Sequence, residues 1–445
     1  MNMKNARHLK RSIGFAALFS ASAWAIAGTP VEGRWDAQLV RGESTIPFRL
    51  DISGEGPTLR GTLYDGFRPY EHTTGARFDG GRLELDISHY LTTINAELKD
   101  GKLVGSVATQ GRGGGSEYGF VATRHDPAAD AAAAPAPTIS GEWEIPLPDP
   151  TSKGEQAFRF IVEQRGAEVA ASILRVDGDT GAYSGVYKDG KWVLSHFDGS
   201  RPGVIEVTPQ ADGSLAIQQR TARAARAVAA GAYENAPDGR AAPQLVAYRP
   251  EAARAKNFPR PANHLTHTTP RDPNEKFVFS FADLDGKLHS QDDEWFRGKP
   301  IVAVVTGTWC PNCHDEAQYL VQLDKKYRDQ GLRIVALNFE EVEQQASQQR
   351  ARAFVKQYGV EYPYLLAGAP EEMWEKVPQL NNLNTWPATV FIGRDGTIRA
   401  VHSGFGSPAT GDFYRQQDKE FTSRVEQLLA EEAPADAGNG KVASR

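Results

Sequence analysis

The stretch IVAVVTGTWCPNCHDE, residues 301–316, decides the architecture of the C-terminal part of this chain. Ile301 to Val305 is an unbroken apolar run, the pattern of a strand covered on both faces. Pro311 suits the first turn of a helix, where its missing N–H costs nothing. The helix it opens is predicted to run to Gln330 and to stop at Gly331. Trp309-Cys310-Pro311-Asn312-Cys313 therefore lies where a buried strand hands over to a helix. Two cysteines separated by two residues at such a start close a small disulfide ring with little backbone movement. Cys310 falls where unpaired backbone N–H groups and the helix dipole favour negative charge, so its thiol is predicted to be exposed and more acidic than free cysteine. Cys313, one turn further in, is predicted to be shielded. In this reading Cys310 attacks a partner disulfide and Cys313 resolves the mixed disulfide.

Three other chemistries compete for the same residues. A structural disulfide across so short a loop constrains the unfolded chain little. A zinc site wants four ligands; the chain has 2 cysteines in all, and beside His314 no further histidine is obviously placed. A peroxidatic cysteine usually follows a threonine by three residues, and here that position is Gly307.

Outward from the motif the pattern stays α/β. Phe277 to Phe281 reads as a short strand and Leu332 to Leu337 as a second buried one. Gln344 to Tyr358 reads as a helix ended by Gly359. Ala388 to Ile392, the turn Arg394-Asp395-Gly396 and Thr397 to His402 read as a hairpin, and Asp412 to Glu431 as a last helix. Taken together with Arg297-Gly298-Lys299-Pro300, Leu332 to Asn338, Trp386-Pro387-Ala388-Thr389 and Phe391 to Gly396, this region resembles the TlpA/ResA family of exported thiol–disulfide oxidoreductases. The resemblance implies a thioredoxin-like fold, a central mixed sheet with helices on both faces. It also implies that Pro387 is a cis-proline facing the dithiol, with Trp386 before it shaping what docks, and that the acidic residue three positions after the second cysteine, Glu316, tunes or shuttles the proton of Cys313. A dipole-complementing helix acid is the plainer reading of Glu316. His314, four residues after Cys310, reads as a solvated side chain or as a partner of the thiolate. Two departures from the family stand out: its proline usually precedes the second cysteine, whereas here Pro311 follows the first, and Ala317 and Gln318 stand where a proline commonly follows the acid.

The N-terminal half has a different grammar. Trp35, Ala37 and Leu39 share one face of a strand, as do Ile46, Phe48, Leu50 and Ile52, and Asp-Gly pairs punctuate such runs as hairpin turns. Gly33-Arg34-Trp35 matches Gly141-Glu142-Trp143 at an offset of 108, Phe48-Arg49 matches Phe158-Arg159 at 110, and Asp100-Gly101 matches Asp212-Gly213 at 112. A drifting offset is what loop insertions between two copies of one β-rich unit produce. The units read as barrels or sandwiches serving as scaffold or partner-binding modules, or as ligand-holding barrels. His72, His89, His125 and His196 look isolated.

Lys4, Arg7, Lys10 and Arg11, an apolar run from Ile13 to Ile26 and the small-residue site Ala25-Ile26-Ala27 have the form of a cleaved secretory signal. Its removal takes the formal charge from −6 to −10, and no later segment reads as a membrane span. With 40% hydrophobic and 24% charged residues the chain has globular composition, and its negative balance points away from nucleic acid.

The sequence thus predicts a multidomain protein: a signal peptide (1–27), a first all-β unit (28–125), a linker (126–139), a second all-β unit (140–250), a linker (251–270), an α/β thioredoxin-like domain (271–432) and a disordered tail (433–445). The expected function is an exported, periplasmic thiol–disulfide oxidoreductase. Cys310, Cys313, Glu316 and Pro387 are its catalytic residues, with Trp309, Pro311 and Trp386 in support, and neither cofactor nor metal is expected. Its partners would be disulfide-containing proteins and an external dithiol donor, with a membrane-embedded relay as the candidate. A disulfide oxidant using the same dithiol, and a client-binding protein relying on the β units, are the rivals.

Overall fold

The computed structural model describes residues 29–432 except 43, 112–113, 129–134 and 221–243. The signal and tail readings therefore lie outside the described residues. Three sheets of seven or more strands account for most of the rest.

The first sheet has nine antiparallel strands, from Gly33–Arg41 to Gly114–Arg124. Its first and last strands pair with each other, Ala37 opposite Ala122. The sheet thus curls into a half-barrel whose edges are Arg68–His72 and Gly75–Asp79. The second has eight strands in sequence order, from Gly141–Pro146 to Leu245–Ala247. A bridge between Glu144 and Tyr248 brings its last strand against its first, which makes a nearly closed barrel. Alternation along each strand puts Trp35, Leu50 and Phe120 in one core and Trp143, Phe160 and Trp192 in the other.

One local device occurs in both sheets. The indole N–H of Trp35 donates to the Val31 carbonyl, and that of Trp143 to the Ile139 carbonyl, each at 2.8 Å. Arg124 lies over the Trp35 ring at 4.1 Å and Arg249 over Trp143 at 3.8 Å. Gly33 and Gly141 hold φ of 124° and 107°, and a Cβ on either would lie within 2.9 Å of the stacked arginine. The Gly-x-Trp spacing therefore encodes a left-handed backbone that lets arginine close over the indole.

The C-terminal sheet has seven strands. At its centre Ile301–Thr306 runs parallel to Arg333–Phe339 and antiparallel to Ala388–Ile392. Its apolar run faces both ways. Ala303 and Val305 join a core with Leu337, Phe339 and Val390, while Val302 and Val304 join one with Leu320, Phe354 and Phe421. The three long helices, Pro311–Tyr327, Gln349–Tyr358 and Asp412–Ala430, all contribute to the second core. The opposite face is covered by the short helix Met373–Lys376 and by Phe277, Phe279 and Phe296. The helices expected on both faces are thus unequally shared.

Other expectations shift. The helix predicted from Gln344 is broken, because Gln348 adopts φ of 51° and caps a new helix at Gln349. The short strand sits at Ser280–Asp283 instead of Phe277–Phe281. The 251–270 segment is a packed strap rather than a free linker: it begins in the helix Pro250–Ala255, and buried His264 and Thr268 bond to Ser403. Among the described residues no helix is long and apolar enough to cross a membrane.

Candidate functional site

The two cysteines are free thiols at the start of the helix Pro311–Tyr327. Cys310 is its N-cap, with extended backbone, and Pro311 is the first helical residue. The Cys313 N–H donates to the Cys310 carbonyl at 3.0 Å. The Cys310 thiol lies 3.4 Å from the Trp386 carbonyl, which it meets as donor, and the Trp386–Pro387 peptide is cis. The Trp309 indole donates to the Phe339 carbonyl at 2.9 Å and meets Trp386 edge-on at 5.0 Å. The site thus brings Trp309, Cys310, Pro311 and Cys313 together with Trp386 and Pro387 from two segments of the chain.

The acidities of the two thiols diverge. Burial pushes Cys310 up, but the Cys313 thiol hydrogen bond, the Arg201 charge and the Cys313 backbone N–H outweigh it, and the net shift is downward. Burial drives Cys313 well above an ordinary thiol, and the bond and charge of Cys310 add to this. Arg201 belongs to the second sheet's loops and donates to the Trp309 carbonyl at 3.4 Å. No local signal in the sequence marks it.

Glu316 is buried beneath the dithiol, three residues after Cys313 and on the same helical face. It accepts from the Thr389 hydroxyl, and its second oxygen has no hydrogen-bond partner among the described residues. Burial raises it to about 8, against the Thr389 bond and with the charge of Cys310 adding to the rise. A carboxyl with a value in that range could both give and take a proton near neutrality.

Two expectations are corrected here. Cys310 is 3% exposed rather than open to solvent. The cause is the second β unit. The Asn312 amide donates to the Asp177 carbonyl at 2.6 Å and accepts from the Thr180 N–H at 2.8 Å, so the 175–180 loop is pinned on the dithiol helix. Gly178 also bridges Phe405, where a Cβ would lie 2.2 Å from the Phe405 carbonyl oxygen, and Ser407 donates to Asp179 from its backbone and side chain. Second, His314 touches neither solvent nor thiolate. It is fully buried, with Nε2 2.7 Å from the Thr308 carbonyl and Nδ1 2.8 Å from the Tyr358 hydroxyl.

Sequence reading also missed a buried ionic brace. Glu340 accepts from the Thr308 hydroxyl and from Arg350, which also pairs with Glu341 at 2.8 Å and donates to Thr308 at 3.0 Å. It fixes the loop that carries Trp309 and Cys310.

The pinned loop yields a direct expectation. Two hydrogen bonds of about 0.5–1.5 kcal/mol each hold it at Asn312. In Asn312→Ala, alkylation of Cys310 by iodoacetamide at neutral pH should accelerate about tenfold. An unchanged rate would mean that the loop does not govern access.

A buried, acidified thiol paired with a shielded one, at a helix start on a mixed sheet and beside a cis-proline, defines the dithiol class of thioredoxin-like domains. Residues 269–413 match the family described as Redoxin. The curated relatives it matches include the thiol-disulfide oxidoreductase ResA of Bacillus thuringiensis (strain Al Hakam), 28% identical over 120 residues, which are 27% of this chain and 62% of that protein. The thiol:disulfide interchange protein DsbE of Escherichia coli (strain K12) is 32% identical over 139 residues, 31% of this chain and 66% of that one. The chain therefore spans 62% of the length of the first of these relatives. Among solved structures, a protein described as a putative thiol:disulfide interchange protein DsbE from Chlorobium tepidum is 20% identical, with a TM-score of 0.28, covering 36% of this chain and 98% of that one.

Proposed function

We propose that the protein is an exported thiol–disulfide oxidoreductase that reduces disulfides in periplasmic proteins through Cys310 and Cys313. The observation that carries the reading is the placement of two free thiols at a helix start, beside the Trp386–Pro387 peptide and with buried Glu316 on the same helix. The Cys310 thiolate attacks one sulfur of a substrate disulfide, a mixed disulfide forms, and the other substrate sulfur leaves as a thiolate that takes up a proton. Cys313 then gives its proton to the Glu316 carboxylate and attacks the Cys310 sulfur. The second substrate sulfur leaves, and both electrons have passed to the substrate. An external dithiol donor returns the pair by the reverse exchange.

Pro387 and Trp386 border the place where an incoming chain meets Cys310, and Trp309 and Pro311 hold the cysteine loop in position. The β units act as a cover that lifts for substrate. Their shared Gly-x-Trp device supports reading them as two copies of one unit, and the basic, apolar and small-residue succession in residues 1–27 supports export.

The direction of electron flow is tested by the reduction potential. Equilibration with glutathione buffers should give about −200 mV or lower, the range of reducing dithiol proteins, and the wild type should reduce insulin with a dithiol donor. A potential near −120 mV would make the protein an oxidant. Failure to turn over insulin at all would favour the client-binding rival.

A further inference from the structure

The first sheet and the dithiol helix meet in a buried polar cluster that the thiol chemistry does not use. Glu71 lies on the edge strand Arg68–His72 and His89 in the turn after Arg82–Ile87, while His314 lies one residue beyond Cys313. All three are buried, and one ligand-type atom from each lies within 4.8 Å of the other two. His89, which looks isolated in the sequence, has its ring centroid 5.5 Å from that of His314.

The hydrogens at this cluster do not balance. The Thr308 carbonyl, 2.7 Å from His314 Nε2, requires the ring proton there, which leaves Nδ1 as a bare lone pair facing the cluster. Tyr358 lies 2.8 Å from that lone pair and 2.6 Å from Glu71 Oε1, and it has one phenolic hydrogen for the two acceptors. Gln357 reaches the other Glu71 oxygen only at 3.4 Å, the same separation as His89 Nε2. Neither ring nitrogen of His89 has a hydrogen-bond partner among the described residues. A fully buried imidazole that makes no hydrogen bond is costly, and here one of its nitrogens faces the Glu71 carboxylate at 3.4 Å.

We propose that Glu71, His89 and His314 bind a divalent cation of the zinc type. Two imidazoles and a carboxylate are a donor set that zinc accepts, with a fourth position left for the Tyr358 oxygen or water. A tetrahedron with ~2.0 Å bonds sets its ligand atoms roughly 3.3 Å apart, and the three atoms, within 4.8 Å of one another, would draw together on binding. The second shell is in place: His314 donates its other ring nitrogen to a backbone carbonyl, the arrangement that fixes a ligating histidine's tautomer. Tyr90 stacks on His314 at 4.2 Å and Phe354 meets it edge-on at 4.7 Å, so packing sets the orientation of the ring. The cation would join the first β sheet to the helix that begins with Cys310.

The proposal is independent of the redox reading, so its test uses the full chain with Cys310→Ser and Cys313→Ser, which removes the thiolates that would otherwise compete for metal. After EDTA treatment and dialysis against Zn2+, one equivalent per chain is expected, together with a raised melting temperature. His89→Gln in the same background should bind at least about 100-fold more weakly and lose the thermal shift. Should that variant not fold, Co2+ added to the parent decides. Intense visible bands of tetrahedral cobalt support the site, and the weak spectrum of hydrated cobalt overturns it. No zinc in the parent, zinc that disappears once the cysteines are removed, or undiminished binding by folded His89→Gln each overturns it as well.

Discussion

Cys310→Ser is expected to bring insulin-disulfide turnover down to the uncatalysed background, on the order of 10³-fold or more below wild type, while Cys313→Ser completes one half-reaction and stalls. The two variants fail differently because the two thiols are unlike. Cys310 is held below its ordinary value by the Cys313 hydrogen bond and by Arg201 against the cost of burial, whereas Cys313 is held well above its own. In Cys310→Ser the remaining thiol is protonated at neutral pH and 1% exposed, so it cannot replace the lost nucleophile. In Cys313→Ser the nucleophile survives and the resolving sulfur is gone, so a stoichiometric mixed disulfide should accumulate on Cys310, visible by non-reducing mass spectrometry. The choice of replacement adds a second readout. Serine keeps a hydroxyl donor beside the Cys310 sulfur and alanine removes it, so the trap should form more slowly with Cys313→Ala than with Cys313→Ser at pH 7, and the gap should close as the pH rises past the Cys310 titration. Residual turnover in Cys310→Ser, or full turnover in Cys313→Ser, would refute the assigned order of attack.

The parts of this site that the sequence makes legible are those that local chemistry dictates. An apolar run feeding a proline-led helix fixes where Cys310 and Cys313 sit, the Asp-Gly signals mark β hairpins, and Gly-x-Trp marks the first strand of each β unit, because each needs a backbone that few residues adopt. What stays hidden is contact at long range. Asn312 meets Thr180, 132 residues away, and Arg201 meets Trp309, 108 away. Tyr358 meets Glu71 across 287 residues. Nothing about Asn312 alone says that a loop will rest on it, so Cys310 reads as exposed at a helix start when in fact another unit covers it. Dipole and cap arguments predict the sign of the Cys310 shift. They leave out the Arg201 charge, which comes from that same cover. The break at Gln348 is hidden for a different reason: a glutamine with φ of 51° leaves no glycine or proline to betray it. The sequence carries two meanings for Glu316, and its burial at 1% exposure speaks for the proton-handling one, since a dipole-complementing acid belongs at the surface.

Glu316→Gln should therefore slow turnover by about 100-fold or more, the usual worth of a positioned proton acceptor, and should abolish a limb in the pH profile near 8. Wild-type resolution needs Glu316 ionised to accept the Cys313 proton, so the rate should climb as pH rises through about 8, where burial and the Cys310 charge, against the Thr389 bond, place this carboxyl. The amide cannot take a proton, and the variant's rate should follow the Cys313 thiol alone, far to the alkaline side. The same substitution has the opposite effect on stability. The folded state raises Glu316 from 4.5 to about 8, so it holds a proton that the unfolded chain releases. The favourable contribution is complete below about 4.5, falls as pH rises through 8, and at pH 9 amounts to a penalty on the order of 4–5 kcal/mol relative to acid conditions. Glutamine, neutral at every pH and still able to accept from Thr389, escapes that penalty. Thermal melts should then show Glu316→Gln close to wild type at pH 5 and clearly more stable at pH 9, with activity and stability moving in opposite directions. A variant whose pH profile matches wild type would remove Glu316 from the mechanism, and one no more stable at pH 9 than wild type would mean that the carboxyl titrates in its ordinary range.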